Sequence, residues 1–168
     1  KMYIYGGQIN SCENTNQFIS YDFEKNEWAL VRPKMEGDLL PIDSHTANIW
    51  EKEENKKTMI VFGGFIGGTI GDYSNAVYEY DFEQNEWKTL FENKPVDAIE
   101  ITKTTVPQGR MSHAAAISNN CLYIFGGFDG NTRLNDTWSF DLVEKKWQRL
   151  GLEGFVPEVR LQLCSLIF

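Results

Sequence analysis

Cys121-Leu122-Tyr123-Ile124-Phe125-Gly126-Gly127 is an unbroken apolar run closed by a double glycine, and the chain carries two earlier versions of it. Tyr3-Ile4-Tyr5-Gly6-Gly7 and Ile60-Val61-Phe62-Gly63-Gly64 keep the same order of residue types. A second module follows each copy. It reads Tyr21-Asp22-Phe23-Glu24-Lys25-Asn26-Glu27-Trp28, then Tyr80-Asp81-Phe82-Glu83-Gln84-Asn85-Glu86-Trp87, then Phe140-Asp141-Leu142-Val143-Glu144-Lys145-Lys146-Trp147. Two modules that recur in phase, roughly sixty residues apart, mark a repeat architecture in which each unit is one supersecondary structure.

Inside a unit the periodicity is that of strands. Ser112-His113-Ala114-Ala115-Ala116-Ile117-Ser118 is a small-residue run, and Asn119-Asn120 is a two-residue turn signal. The continuous apolar run at 121–125 fits a strand buried on both faces. Thr137-Trp138-Ser139-Phe140 and Lys146-Trp147-Gln148-Arg149-Leu150 alternate, with the Asp-containing turn between them. Each unit is therefore expected to be four short antiparallel strands, with no stretch long and periodic enough for a helix. The double glycine is expected to end the second strand, where φ is positive or the chain passes close to a neighbour. The tryptophan offers apolar area to wedge between stacked sheets. The Asp is placed to accept turn amides.

This order of modules resembles the kelch repeat family. The third unit matches best, in Gly109-Arg110-Met111-Ser112-His113, Tyr123-Ile124-Phe125-Gly126-Gly127, Asn131-Thr132-Arg133-Leu134-Asn135-Asp136-Thr137-Trp138 and Trp147. The resemblance covers essentially all 168 residues. It implies an all-β, kelch-type β-propeller of four-stranded antiparallel blades around a channel. Repeat units are expected at about 1–31, 42–90 and 110–150, with the first strand of a further blade at 159–168. That is about three blades' worth of strands in permuted phase, and known propellers use about 4–8 blades. A slice of a larger propeller is the favoured reading, and two copies completing one ring is the other. Several positions depart from strict repetition. Ile42 stands where the third unit has Arg110, Gln8 where Phe65 and Phe128 stand, and Lys145 where Asn26 and Asn85 stand. The C-terminal stretch keeps Pro157 and Arg160 but has Leu163 in the histidine's place. These departures argue against a ring of identical Arg or His contacts.

At 42% hydrophobic and 24% charged, the composition is that of a globular protein. A net charge of −8 counts against nucleic acid or an anionic membrane as partner. No apolar stretch approaches the roughly 20 residues that span a bilayer. Cys12, Cys121 and Cys164 form no CxxC pair, so three reduced thiols and a cytoplasmic setting are expected. The two histidines, His45 and His113, sit at equivalent positions, which points to architecture rather than metal ligation. No HExxH, GxSxG or phosphate-cradling motif occurs, and no helix follows Gly63-Gly64-Phe65-Ile66-Gly67-Gly68 to receive a phosphate. No catalytic, cofactor-binding or metal-binding residue is expected, and the chain is not read as an enzyme.

The loops are the better place for function, because binding residues concentrate on loops held by a rigid frame. In an antiparallel meander, the connections from strand two to three and from strand four to the next blade emerge on one face. These are Gln8–Gln17, Phe65–Asn75 and Phe128–Asn135, with Val31–Ser44, Phe91–Gly109 and Gly151–Val159. The candidate partner-binding residues drawn from them are Arg32, Asp43, Phe65, Ile66, Tyr73, Asp129, Asn131 and Arg133. Glu51–Lys57 is a charged hairpin tip on the opposite face, read as a solvated turn. The expected function is a protein–protein interaction or scaffold module that binds a partner protein or peptide. The resemblance implies scaffold, cytoskeletal, vesicle-traffic or ubiquitin-ligase adaptor roles, and pairing with further kelch blades of the same parent or of a second copy. The other reading is part of a propeller enzyme, galactose-oxidase-like or otherwise metal-dependent, with its active site in blades outside this chain.

Overall fold

Alternate residues of a strand face opposite sides of a sheet, and Met59, Ile60, Val61 and Phe62 are all buried, so both faces of this run are covered. The computed structural model describes residues 1–11, 13–35, 39–53, 56–67, 72–94, 105–151, 153–155 and 157–160. In the first unit, β1 (Met2–Tyr5) is followed by a short ribbon of β2 (Gln8–Asn10) and β3 (Glu13–Asn14), then by β4 (Phe18–Asp22) and β5 (Glu27–Leu30). Strands β1, β4 and β5 form one antiparallel sheet. After β6 (Lys34–Met35), the second unit runs β7 (Thr46–Glu53), β8 (Lys56–Phe62), a ribbon of β9 (Phe65–Gly67) and β10 (Asp72–Tyr73), then β11 (Val77–Asp81) and β12 (Glu86–Phe91). Its sheet order is β7-β8-β11-β12, with β6 added in parallel on the outer edge. The third unit is a plain four-stranded meander of β13 (Ala114–Ser118), β14 (Cys121–Phe128), β15 (Arg133–Asp141) and β16 (Lys146–Leu150).

The sheets stack as blades. Met59 and Val61 join Tyr5, Phe18 and Trp87 in the core between the first two units. Ile60 and Phe62 join Leu122, Ile124 and Phe140 in the core between the second and third. Each turn module behaves as its sequence predicts. The Asp22, Asp81 and Asp141 carboxylates each accept from two turn amides at 2.7–3.2 Å. Asn26, Asn85 and Lys145 take the left-handed conformation at the same point of the turn. The Asn119-Asn120 turn has positive φ at both residues, which suits the right-handed twist of the flanking strands. Trp87 lies 5.2 Å from Tyr5 and 5.4 Å from Phe18, ring to ring, and Trp147 lies 5.2 Å from Phe62. Each wedges against the preceding blade. Trp28 has no preceding blade in this chain and is 57% exposed, against 1% for Trp87.

The double glycine stitches the first blade to the second and the second to the third, and makes the same bond from the third to Arg160. The N–H of Gly7 donates to the carbonyl of Ile42, that of Gly64 to Arg110, and that of Gly127 to Arg160, at 2.8, 2.8 and 3.0 Å. A Cβ at Gly63 would lie 2.7 Å from the His113 ring and 2.8 Å from the Arg110 carbonyl oxygen, so no side chain fits. In the third unit, however, this motif does not end the strand. There β14 continues through Gly126 and Gly127 to Phe128, with a register break between Phe125 and Gly127. Positive φ at both glycines makes a bulge that re-aims the strand toward the loop face. The loops before β4 and β11 likewise hold short ribbons, because their chain ends are close enough to pair. Of the further first strand expected at 159–168, residues 159 and 160 are described and are not in a strand, and 161–168, with Leu163 and Cys164, lie outside the described residues, as does Cys12. Cys121 is a free, half-buried thiol whose pKa is pushed up by burial and by Asp141.

Candidate functional site

The β9–β10 ribbon places Phe65 opposite Tyr73, and the rings lie 5.3 Å apart. Phe128 of the next blade meets the Tyr73 ring edge-on at 5.9 Å. Glycine makes this approach possible, since a Cβ at Gly130 would overlap the Tyr73 ring. Asp43 pairs with Phe65 through two backbone hydrogen bonds, at 3.0 and 2.9 Å. Asp129 accepts from the amides of Asn131 and Thr132 at 2.9 and 2.7 Å, which closes the tight turn that carries Gly130. The Tyr73 hydroxyl is pushed to a higher pKa by burial and by the nearby Asp129 and Asp43 carboxylates, so it stays a proton donor at neutral pH.

Beside this cluster, Arg133 opens onto a cleft of about 130 Å³, also lined by Gln108, Asp136, Trp138 and Arg149. Asp136 in its wall is one half of a buried ion pair. Arg110, 0% exposed, holds Asp136 through two hydrogen bonds of 2.6 and 3.0 Å and also donates to the Gly126 carbonyl at 3.0 Å. Asp136 accepts from the Trp138 indole at 2.7 Å as well. Burial alone would raise the Asp136 carboxyl pKa, but the Arg110 hydrogen bonds and charge, with Trp138, hold it below the usual carboxylate range. Sequence reading missed this pair because its members lie 26 residues apart. A signal was present: in the second unit both positions are apolar, as the buried Ile42 and Ala76.

Of the residues expected from sequence, Asp43, Phe65, Tyr73 and Asp129 come together in the cluster. Asn131 is exposed in the adjoining turn, and Arg133 is exposed at the cleft. Ile66 packs against the core between the first two units. Arg32 sits elsewhere, its carbonyl accepting from Asn85 Nδ2 at 3.1 Å beside the β11–β12 turn. The histidines pack under the glycine stitches. His113 Nε2 lies 2.9 Å from Thr46 Oγ1, and the imidazole is pushed down to about 3 by burial, then by Arg110 and His45. His45 is pushed down to about 4 by burial, against the pull of Asp43. Both are neutral packing groups at pH 7. Among the described residues, no three His, Cys, Asp or Glu side chains are grouped to hold a metal ion.

The model of one family, the KLHDC2/KLHL20/DRC7 Kelch-repeats domain, matches residues 1–168. The chain belongs to the Kelch-repeat family. Its blades, glycine stitches and tryptophan wedges are those of a Kelch β-propeller, present here as a partial ring. It is 32% identical over 142 residues to human Host cell factor 2, covering 76% of this chain and 16% of that protein. It is 28% identical over 166 residues to the Leucine-zipper-like transcriptional regulator 1 homolog of Drosophila melanogaster, covering 93% of this chain and 15% of that one. It is 27% identical over 168 residues to Kelch-like protein 40 of Xenopus tropicalis, covering 95% of this chain and 22% of that protein. This Kelch chain thus spans less than a quarter of each of these relatives. Among the described residues, no helix is long and apolar enough to cross a membrane.

Proposed function

We propose that this Kelch chain is a non-enzymatic interaction module that binds a partner protein or peptide through its loop face. The observation that supports it is the group of Phe65, Tyr73 and Phe128, packed ring against ring across two blades and flanked by Asp43, Asp129 and Arg133. Aromatic residues and arginine on a rigid frame are the residue types that dominate interface energy. The two carboxylates beside Tyr73 suit a basic residue on the partner, and charge of this kind acts on association rate and register more than on final affinity. A cytoplasmic scaffold or adaptor role, completed by further Kelch blades, belongs to the same reading.

The test is affinity capture from a cell extract with the wild-type chain, with Tyr73→Ala and Arg133→Glu as loop-face variants. A partner held by the wild type should be lost with both variants, and then bind the purified wild-type chain directly. An identical set of captured proteins for all three would defeat the proposal.

A further inference from the structure

The opposite face of the molecule carries the β7–β8, β11–β12 and β15–β16 turns, and between the second and third blades it opens into a pocket of about 430 Å³. That volume lies within the range of sites that hold small ligands or single side chains. Its floor is apolar, made by Trp50, Leu90 and Leu142. Its rim is cationic, with Lys52, Lys56, Lys88 and Lys145 against the carboxylates of Glu79 and Asp81. In a chain of net charge −8, this is a local excess of positive charge.

Several of the residues that build this pocket break the repeat. Glu79 stands on β11 where β4 and β15 have Ser20 and Ser139, and it is 4% exposed. It is held by Lys52 at 3.4 Å. Trp50 stands where β13 has Ser118, as pairing with Thr58 and Cys121 respectively shows. The hairpin beyond that pair is longer in the second blade, and its extra length supplies Lys52 and Lys56. Lys145 occupies the left-handed turn position that Asn26 and Asn85 hold in the other units. Trp50 also belongs to the core between these two blades, its indole donating to Asn120 Oδ1 at 2.9 Å, whereas Glu79, Lys52 and Lys56 have no equivalent in the third unit. Lys52 and Lys56 are answered by Glu79 and Asp81, and Lys88 leans toward Glu86 at 3.4 Å. Among the described residues Lys145 has no ion-pair partner; the neighbouring Glu144 is taken by Lys146 at 3.5 Å.

We propose that this pocket is a second binding site, separate from the loop face, that takes an acidic peptide segment with an apolar side chain beside its carboxylates. The apolar side chain rests on Trp50, Leu90 and Leu142. The peptide carboxylates meet Lys145, which has no ion-pair partner among the described residues, and Lys88, whose side chain is half exposed and can turn from Glu86 to a ligand. Lys52 and Lys56 are fixed by their own carboxylates and shape the wall.

The probe is a fluorescein-labelled peptide with four glutamates flanking a leucine–phenylalanine pair, titrated with the full chain by fluorescence anisotropy. Its partner peptide carries glutamine for each glutamate. The acidic peptide should bind and the glutamine peptide should bind at least about tenfold more weakly. Lys145→Asn restores the residue that the other turns use, and should leave thermal unfolding unchanged while weakening the acidic peptide about threefold to tenfold. Lys88→Gln should act in the same direction. Tyr73→Ala on the loop face should leave this binding untouched, which separates the two sites. Equal binding of both peptides, no binding of either, or full affinity in Lys145→Asn and Lys88→Gln would overturn the proposal.

Discussion

Ile42 and Ala76 occupy in the second blade the places that Arg110 and Asp136 occupy in the third. In one blade the space is filled by an aliphatic side chain over a methyl group, both buried in the core between the first two units. In the other it is filled by a guanidinium locked to a carboxylate. Both carry the same backbone stitch, since the carbonyls of Ile42 and Arg110 each accept from the second glycine of the preceding blade at 2.8 Å. The main chain thus fixes blade geometry, and the side chains need only be mutually compatible. The nearby histidines, His113 pushed down to about 3 and His45 to about 4, are both depressed chiefly by burial, and His113 alone feels the Arg110 cation as well.

Acid gives the largest test of that contrast. A histidine held neutral in the fold, with a pKa below its ordinary 6.5, lets the unfolded chain bind more protons as pH falls. Its stabilising contribution is complete above pH 6.5 and is lost as pH falls toward the folded value, by up to about 1.4 kcal/mol per pH unit for each histidine. Urea unfolding between pH 7 and pH 4.5 should show this decline before the carboxylates titrate. A flat profile over that window would mean the imidazoles are not buried as described. Next in size is the single change Asp136→Ala, which leaves Arg110 charged and fully enclosed. It should cost about 3–5 kcal/mol, read as a lower denaturation midpoint.

The double variant Arg110→Ile with Asp136→Ala copies the second blade's solution into the third. It should recover most of that loss, because replacing a buried pair by apolar groups is often neutral or better. If the double variant is as unstable as the single one, the two blades do not share one packing problem. Its His113 should also titrate closer to the value of His45, a smaller effect visible by NMR. Smallest of all is Trp28→Ala, expected below about 1 kcal/mol because the ring is mostly in water, whereas Trp87→Ala should cost about 3–5 kcal/mol. A large, concentration-dependent cost at Trp28 would instead show that a second copy covers that face, and light scattering would then find a particle near twice 19.3 kDa.

The blade was legible in the sequence because its parts are local. Strand runs, the Asp turn, and the glycine and tryptophan spacings are all read within a few residues of one another, and they reappear in the structure where the repeat puts them. The loop-face candidates were legible only as positions. Which of them meet depends on pairings the sequence does not display, such as Phe65 with Tyr73 in a two-residue ribbon and Gly130 making room for a ring from another blade. Ile66, beside Phe65, turns into the core instead. The Arg110–Asp136 pair and the lysine-rimmed pocket went unseen for a different reason. Each is assembled from departures from the repeat, and a departure gains meaning only when its spatial partner is known to depart with it.

The three glycine stitches use only main-chain atoms at both ends. The joint between blades is therefore indifferent to which side chain sits above it, and the chain uses Ile, Arg and Arg there without altering the bond. Such joints make blades interchangeable parts. A unit can be duplicated, lost or heavily rewritten while its neighbours keep the same socket, so ring size and surface chemistry can diverge independently.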